Sequence, residues 1–262
     1  IDNKSLTITS FSDLENKAFS LMMAGELTVT LSNTSYINGA DYVVTSIGQK
    51  AFNSCSKLIS VILPDSVTTI GSNSFSFCSN LTSINLGNGL TNIDSNAFQQ
   101  CTALTDVTIP DSVTTIGSSA FASCSGLMTV YLGNGIANIK TSAFTKCTSL
   151  TSVTIPDSVT TIGSYAFQQC TALTEINVGA NNTNYISVGG VVFDKNITSL
   201  KIYPAGKAET NYTVPSTVTK IEGYAFGYSE NLTKVVLPAG LTNLASNAFG
   251  YCKNIVEYDF TN

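Results

Sequence analysis

The chain has no histidine and no tryptophan, all of its 12 basic residues are lysine, and only 11% of its residues are charged. Without histidine the commonest general base is missing, and so are the Ser-His and Cys-His nucleophile pairs. Zinc loses its nitrogen ligand, and no C-x-x-C pair is present to replace it. Two carboxylates could still act alone. The formal net charge is -5 and no basic stretch occurs, so the electrostatic footprint of a nucleic-acid binder is lacking. No apolar run approaches the roughly 20 residues that a membrane-spanning helix needs. The first residue is Ile1 and no basic-then-apolar leader precedes the first structured segment, the pattern expected of a mature secreted chain whose signal peptide has been removed.

Apolar residues still make up 43% of the 262, enough for a sizeable core beneath a surface of Ser, Thr, Asn and Gly. Their arrangement is periodic. Phe52, Phe75, Phe98, Phe121, Phe144 and Phe167 stand 23 residues apart, and Phe226 and Phe249 resume the same step after an interruption. A fixed period of this length decides the architecture before local propensity is consulted. Leu104, Val107 and Ile109 read L-x-x-V-x-I, a strand with apolar side chains inward and polar ones outward; Val113, Ile116, Phe121 and Cys124 complete the unit. The strand ends at Pro64, Pro110, Pro156, Pro215 and Pro238, or at Gly87, Gly133 and Gly179. Pro and Gly alternate through most of the array, which nests a 46-residue double unit within the 23-residue one. One unit cannot bury both its strand face and its Phe, so stability must come from stacking.

Cys55, Cys78, Cys101, Cys124, Cys147, Cys170 and Cys252 each follow the repeat Phe by three residues, and Ser229 takes the place once. Side chains in such a ladder run parallel, which suits packing better than the torsion of a disulfide. Free, buried thiols acting as small core hydrophobes are expected. Asp65, Asp111 and Asp157, in P-D-S-V, are expected to stabilise turns by bonding nearby backbone N–H groups. They lack the dense oxygen ligands that calcium takes. Gly-Asn-Gly at 87–89 and 133–135 is not followed by Lys-Ser/Thr and reads as a strand-ending turn rather than a phosphate loop.

The outward residues of the strands are free of core duty and are the candidates for contact. They form a Ser/Thr surface with one apolar interruption at Met128 and Tyr131, an exposed aromatic beside Met of the kind found at protein-binding hot spots. Asp106, Thr108, Thr154, Glu175 and Asn177 flank it on neighbouring units.

Blocks such as LTSVTIPDSVTTIGSYAFQQC, from Leu150 to Cys170, resemble the BspA-like, or treponemal-type, leucine-rich repeat family across residues 43–262. The resemblance implies a cell-surface or secreted bacterial protein that adheres to host proteins, other cells or matrix. It also implies a hairpin inserted between units. The step from Phe167 to Phe226 is 59 residues, 36 more than the period, and Val191-Val192-Phe193 and Ile197 to Tyr203 flank a turn at Asp194-Lys195-Asn196. A protruding or edge-inserted hairpin at about 180–208 follows.

Residues 1–42 depart from the repeat. Ser12 to Glu15 forms a capping box, and Phe11, Leu14, Ala18, Leu21 and Met22 recur at helical spacing, ahead of strands at Leu27 to Leu31 and Tyr42 to Ile47. The expected fold is therefore α/β but β-rich: a right-handed leucine-rich-repeat solenoid, or horseshoe, at 43–262 with a hairpin insertion, closed by an N-terminal cap at 1–42. One face is a parallel sheet, and the other carries short strands, turns and 3₁₀ pieces. The expected function is non-catalytic recognition of a protein or glycan by a monomer, without cofactor or metal. The rival is a structural spacer that projects another module.

Overall fold

The computed structural model describes residues 4–8, 27–31, 34–37 and 40–260. It is a parallel β-solenoid of about nine turns, with no helix among the described residues. The fold is β rather than α/β, because the return path of each rung is made of tight turns; 3₁₀ pieces are likewise absent there. The helix expected over residues 12–22 lies outside the described residues.

Each L-x-x-V-x-I segment supplies one strand of a parallel face: Asp106–Thr108, Thr129–Tyr131, Ser152–Ile155 and Glu175–Val178 pair in sequence with a 23-residue offset. A second row of two-residue strands, Thr69–Ile70, Asn92–Ile93, Thr115–Ile116, Asn138–Ile139 and Thr161–Ile162, pairs in the same way. Ala40–Ile47 extends that row, with Lys4–Ile8 parallel on one side and Thr34–Ile37 joined to it as an antiparallel hairpin. Leu27–Thr30 pairs parallel with Leu58–Ile62.

The turn carrying the Phe uses alternating directions. In the rung beginning at Asn96, the N–H groups of Asn96, Phe98 and Gln100 donate to Ser118, Ala120 and Ala122 of the next rung, at 2.9, 2.7 and 2.8 Å. Those of Ala97, Gln99 and Cys101 close local turns onto residues three earlier. Aiming every second N–H along the stacking axis requires left-handed backbone at two positions per rung, Asn96 (φ 57°) and Gln100 (φ 59°) here. Asn tolerates that region best among residues with a side chain. With the backbone bonded outward, the Phe rings turn inward and stack: successive centroids from Phe52 to Phe167 lie 5.0 to 5.4 Å apart.

The Pro/Gly alternation has a steric cause. Asp111 ends the strand of one rung, and its Oδ1 accepts from Asn134 N of the next rung at 2.7 Å; Asp65 does the same for Asn88 at 2.7 Å. The acids thus bond the neighbouring rung rather than their own turn. A Cβ on Gly135 would stand 1.9 Å from the Asp111 carbonyl oxygen, and one on Gly89 1.8 Å from that of Asp65. The rung after an Asp rung must therefore carry glycine. The following Ser of each P-D-S-V reaches the other way, Ser112 Oγ donating to Leu90 O at 2.6 Å and Ser158 Oγ to Ile136 O at 2.7 Å.

The expected hairpin is present, with Val191–Asp194 antiparallel to Ser199–Ile202, but it is part of a three-strand meander and does not protrude. Tyr185–Val188 turns at Gly189-Gly190 (φ 56° and 79°) into Val191–Asp194, which turns again into Ser199–Ile202. The Gly-Gly dipeptide is a strong two-residue hairpin signal. The last strand pairs parallel with Lys220–Ile221 and so already belongs to the solenoid. The middle strand is buried on both faces: Val192 packs into the N-terminal core, and Val191 and Phe193 into the C-terminal one. It is a partition between two stacks.

Tyr203 stands 23 residues before Phe226, stacks on it at 5.1 Å, and donates its N–H to Ala225 O at 2.7 Å as a ladder Phe does. The rung it marks escaped the Phe periodicity because the aromatic is Tyr and Glu209 replaces the strand Leu. Across the partition, Tyr185 substitutes for a missing backbone. Its Oη accepts from Ile162 N at 3.1 Å and donates to Thr160 O at 3.3 Å, groups that face the place where the next short strand would lie.

Gly135→Ala is expected to lower stability by roughly 2–3 kcal/mol, the cost of overpacking against backbone that cannot move aside. Gly240→Ala, whose Cβ would meet its nearest neighbour, Ser216 O, at 4.0 Å, is expected to change little. Guanidinium denaturation midpoints of the two variants check the pair.

Candidate functional site

The outward face of the four long strands is set by register. Asp106 lies beside Thr129, Thr129 beside Ser152, and Ser152 beside Glu175. One position group further along, Thr108 pairs with Tyr131 and Thr154 with Asn177. Alternation forces these side chains out because Val107, Val130, Val153 and Ile176 point into the core. Met128 and Tyr131 are the two large apolar residues exposed there, at 51% and 61%.

The candidates do not all converge. Tyr131 and Thr154 line one shallow depression of about 320 Å³, floored by Val153 and Leu132 and closed by Pro156, Asp157 and Gly179. Met128 sits three residues before Tyr131, in the column of Thr105 and Thr151, and lies outside the depression, as do Asp106, Thr108, Glu175 and Asn177. Asp106 and Glu175 share a column three strands apart, roughly 14 Å at the usual strand spacing. That is too far for a carboxylate pair to work on one bond. Several hydroxyls of the face are already engaged: Thr174 Oγ1 donates to Thr151 O at 3.1 Å, and Thr105 Oγ1 to Asp106 Oδ2 at 2.9 Å. They remain acceptors. No group of three or more Cys, Asp or Glu that could hold a metal lies among the described residues.

The aromatic and thiol ladders lie on the opposite side of this sheet, in the core. Phe52, Phe75, Phe98, Phe121, Phe144 and Phe226 are fully buried, Phe167 is nearly so, and Phe249 in the last rung is half-buried. All seven cysteines are free. Cys78, Cys101, Cys124, Cys147 and Cys170 are buried, and their thiols donate to the carbonyls of Phe52, Phe75, Phe98, Phe121 and Phe144, at 3.1 to 3.2 Å. Cys252 donates to Phe226 O at 2.9 Å; Cys55 and Cys252 are half-buried. The thiol is thus a small apolar group with one weak donor, which suits a position facing a backbone carbonyl. Burial, then the neighbouring Cys55, pushes the Cys78 thiol up to about 12. A hydrogen bond with Cys124 together with burial holds Cys101 well above the ordinary thiol range, and burial, reinforced by Cys170, does so for Cys147. Ser229, at a ladder position without a thiol, has a buried hydroxyl that meets no partner among the described residues.

The family model for the BspA type leucine rich repeat region matches six copies over residues 16–148, 91–207 and 201–262. Among solved structures, the chain is similar to the pneumococcal vaccine antigen PcpA, with 26% identity and a TM-score of 0.81 over 90% of this chain and 60% of that one. It spans less than two thirds of that antigen. A leucine rich cell surface protein of Faecalibacterium prausnitzii shares the fold at 24% identity, with a TM-score of 0.62 over 91% of this chain and 88% of that one. A leucine-rich repeat protein of Bacteroides ovatus does so at 22% identity and a TM-score of 0.62, over 90% and 69%. No curated protein matches the chain significantly.

Native protein at pH 8 is expected to expose to a thiol reagent only Cys55 and Cys252, and unfolded protein without reductant all seven cysteines. A total below six after unfolding would show that disulfides form. Ser229→Cys should add about 1 kcal/mol to the denaturation free energy, by replacing an unpartnered buried hydroxyl with the ladder thiol.

Proposed function

The chain belongs to the BspA-type leucine-rich repeat family, and from that membership we propose that it is a non-catalytic recognition module of a bacterial cell-surface or secreted protein. It binds a protein or glycan of a host or neighbouring cell through the outward face of its long strands. The observation that carries this reading is the pairing of Tyr131, the most exposed aromatic of that face, with a depression of about 320 Å³ on a sheet otherwise covered by Ser and Thr. An aromatic over a concavity on a rigid sheet gives a partner an anchor at low entropic cost. Neighbouring rungs fix the backbone beneath it, so recognition needs no reordering of the chain.

The similarity to a pneumococcal vaccine antigen and to a cell surface protein supports an extracellular setting. Among the described residues no helix is long and apolar enough to cross a membrane.

Tyr131→Ala combined with Thr154→Lys is expected to lower adhesion to cells or immobilised matrix proteins at least tenfold while leaving Tm unchanged. Both side chains are exposed, and surface substitutions away from packed features cost little stability. Adhesion that survives the double change would favour a spacer that only projects another module.

A further inference from the structure

The junction between the two stacks differs from those before it in its donors. In the rungs beginning at Lys50, Asn73, Asn96, Ser119 and Ser142, three alternate N–H groups each donate to the next rung. The same positions in the following rung are Tyr165, Phe167 and Gln169, and their N–H groups meet no acceptor among the described residues. Phe167 is only 5% exposed. A cleft of about 250 Å³ opens against this rung, lined by Tyr165, Phe167, Gln168, Lys201, Glu222 and Tyr224 among others. A donor without a partner at a residue as buried as Phe167 is rare in folded proteins and asks for an explanation.

The side chains around the cleft supply a second, independent peculiarity. Left-handed positions in the N-terminal rungs hold mostly Ser, Asn, Gln and Lys, which suit or tolerate them. At the cleft they hold Tyr165 (φ 63°) and Tyr224 (φ 56°); Tyr228 (φ 65°) and Tyr251 (φ 64°) hold the same positions outside it, and Phe77 (φ 63°) is the one aromatic among the N-terminal rungs. A bulky residue with positive φ is strained, and such strain is concentrated where function requires it. Tyr165 and Tyr224 meet edge to face at 5.2 Å across the intervening rung, and Tyr228 and Tyr251 stack at 4.5 Å. Tyr165 is 42% exposed and Tyr251 56%.

We propose that this cleft is a saccharide-binding site, distinct from the sheet face, in which an uncharged pyranose ring lies against Tyr165 and Tyr224 with its oxygens on the Tyr165 and Phe167 N–H groups. A pyranose has an apolar C–H face for an aromatic wall and a rim of hydroxyl oxygens that accept as readily as they donate. The rung edge offers donors only, because the carbonyls of Ala166 and Gln168 point back to Phe144 and Lys146. An extended peptide would leave its own N–H groups unmet there. Lys201 and Lys220 both bond Glu222 Oε1 at 2.9 Å, so neither ammonium is held out for an anion. The same carboxylate oxygen accepts from Ser199 Oγ at 3.1 Å, which fixes it at the cleft wall.

Affinity electrophoresis of the intact chain through gels that each contain one neutral polysaccharide (dextran, galactomannan, xyloglucan or mixed-linkage β-glucan), with alginate as the acidic arm, tests the site. The expected result is retardation by at least one neutral polysaccharide, weakened tenfold or more in Tyr165→Asn and in Tyr224→Asn and kept in Lys57→Ala, a change at an exposed residue outside both sites. Asn suits left-handed backbone, so the Tm of Tyr165→Asn should stay level or rise, whereas a Tyr with a purely structural role would lower it on removal. In the unaltered chain, amide exchange at Phe167 and Gln169 should slow in the presence of the same polysaccharide. No retardation by any neutral polysaccharide, retardation by alginate alone, or retardation unchanged in both Tyr variants overturns the proposal. Retardation lost in Tyr131→Ala but kept in both Tyr165→Asn and Tyr224→Asn would belong to the sheet face and likewise overturns the proposal.

Discussion

Everything in the structure depends on backbone hydrogen bonds that run between rungs at a 23-residue offset. A solenoid has no second layer to satisfy its main chain, so each rung must present donors and acceptors where the next has their complements. That requirement fixes the period. It also sets the two left-handed positions of every Phe-marked turn, where alternating backbone directions send every second N–H along the axis. Phe stacking and thiol burial follow from it: once the backbone is bonded lengthwise, the space inside the loop is left to identical side chains at the same height.

The Pro/Gly alternation shows the same constraint acting between unlike rungs. An Asp that caps the neighbour's turn brings its own carbonyl within reach of that neighbour, and only glycine has no atom to clash there. Two rungs with Asp in succession would therefore collide at this turn, and two with Gly would leave it without the carboxylate. The double unit is the least asymmetric solution, and its Ser bonds the rung behind while its Asp bonds the rung ahead.

Most of this was legible in the sequence because stacking repeats its demands. The Phe and Cys ladders, the strand face and the Pro or Gly stops each recur in register, so no single position had to be interpreted alone. What escaped was whatever occurs once. Tyr203 and Glu209 mark a rung that a search for Phe and Leu passes by, and Asn182, fully buried with its amide donating to Pro156 O and Val159 O, belongs to no repeated pattern. The direction of the Asp65 and Asp111 contacts was hidden too, since a residue 23 positions away is nearer in space than much of the residue's own turn. The candidate face was readable as outward, yet only the coordinates separate Tyr131 and Thr154, which share a depression, from Met128, which does not.

The partition formed by Val191–Asp194 has a bearing on how such a chain varies. Interchangeable rungs are gained or lost in whole steps, and the face they build lengthens or shortens with them, so its chemistry drifts with copy number. The meander has no counterpart elsewhere in the array. A unit added on either side leaves its two neighbours, and the space between them, as they were. In an array otherwise made of replaceable parts, this irregular segment is therefore a fixed address.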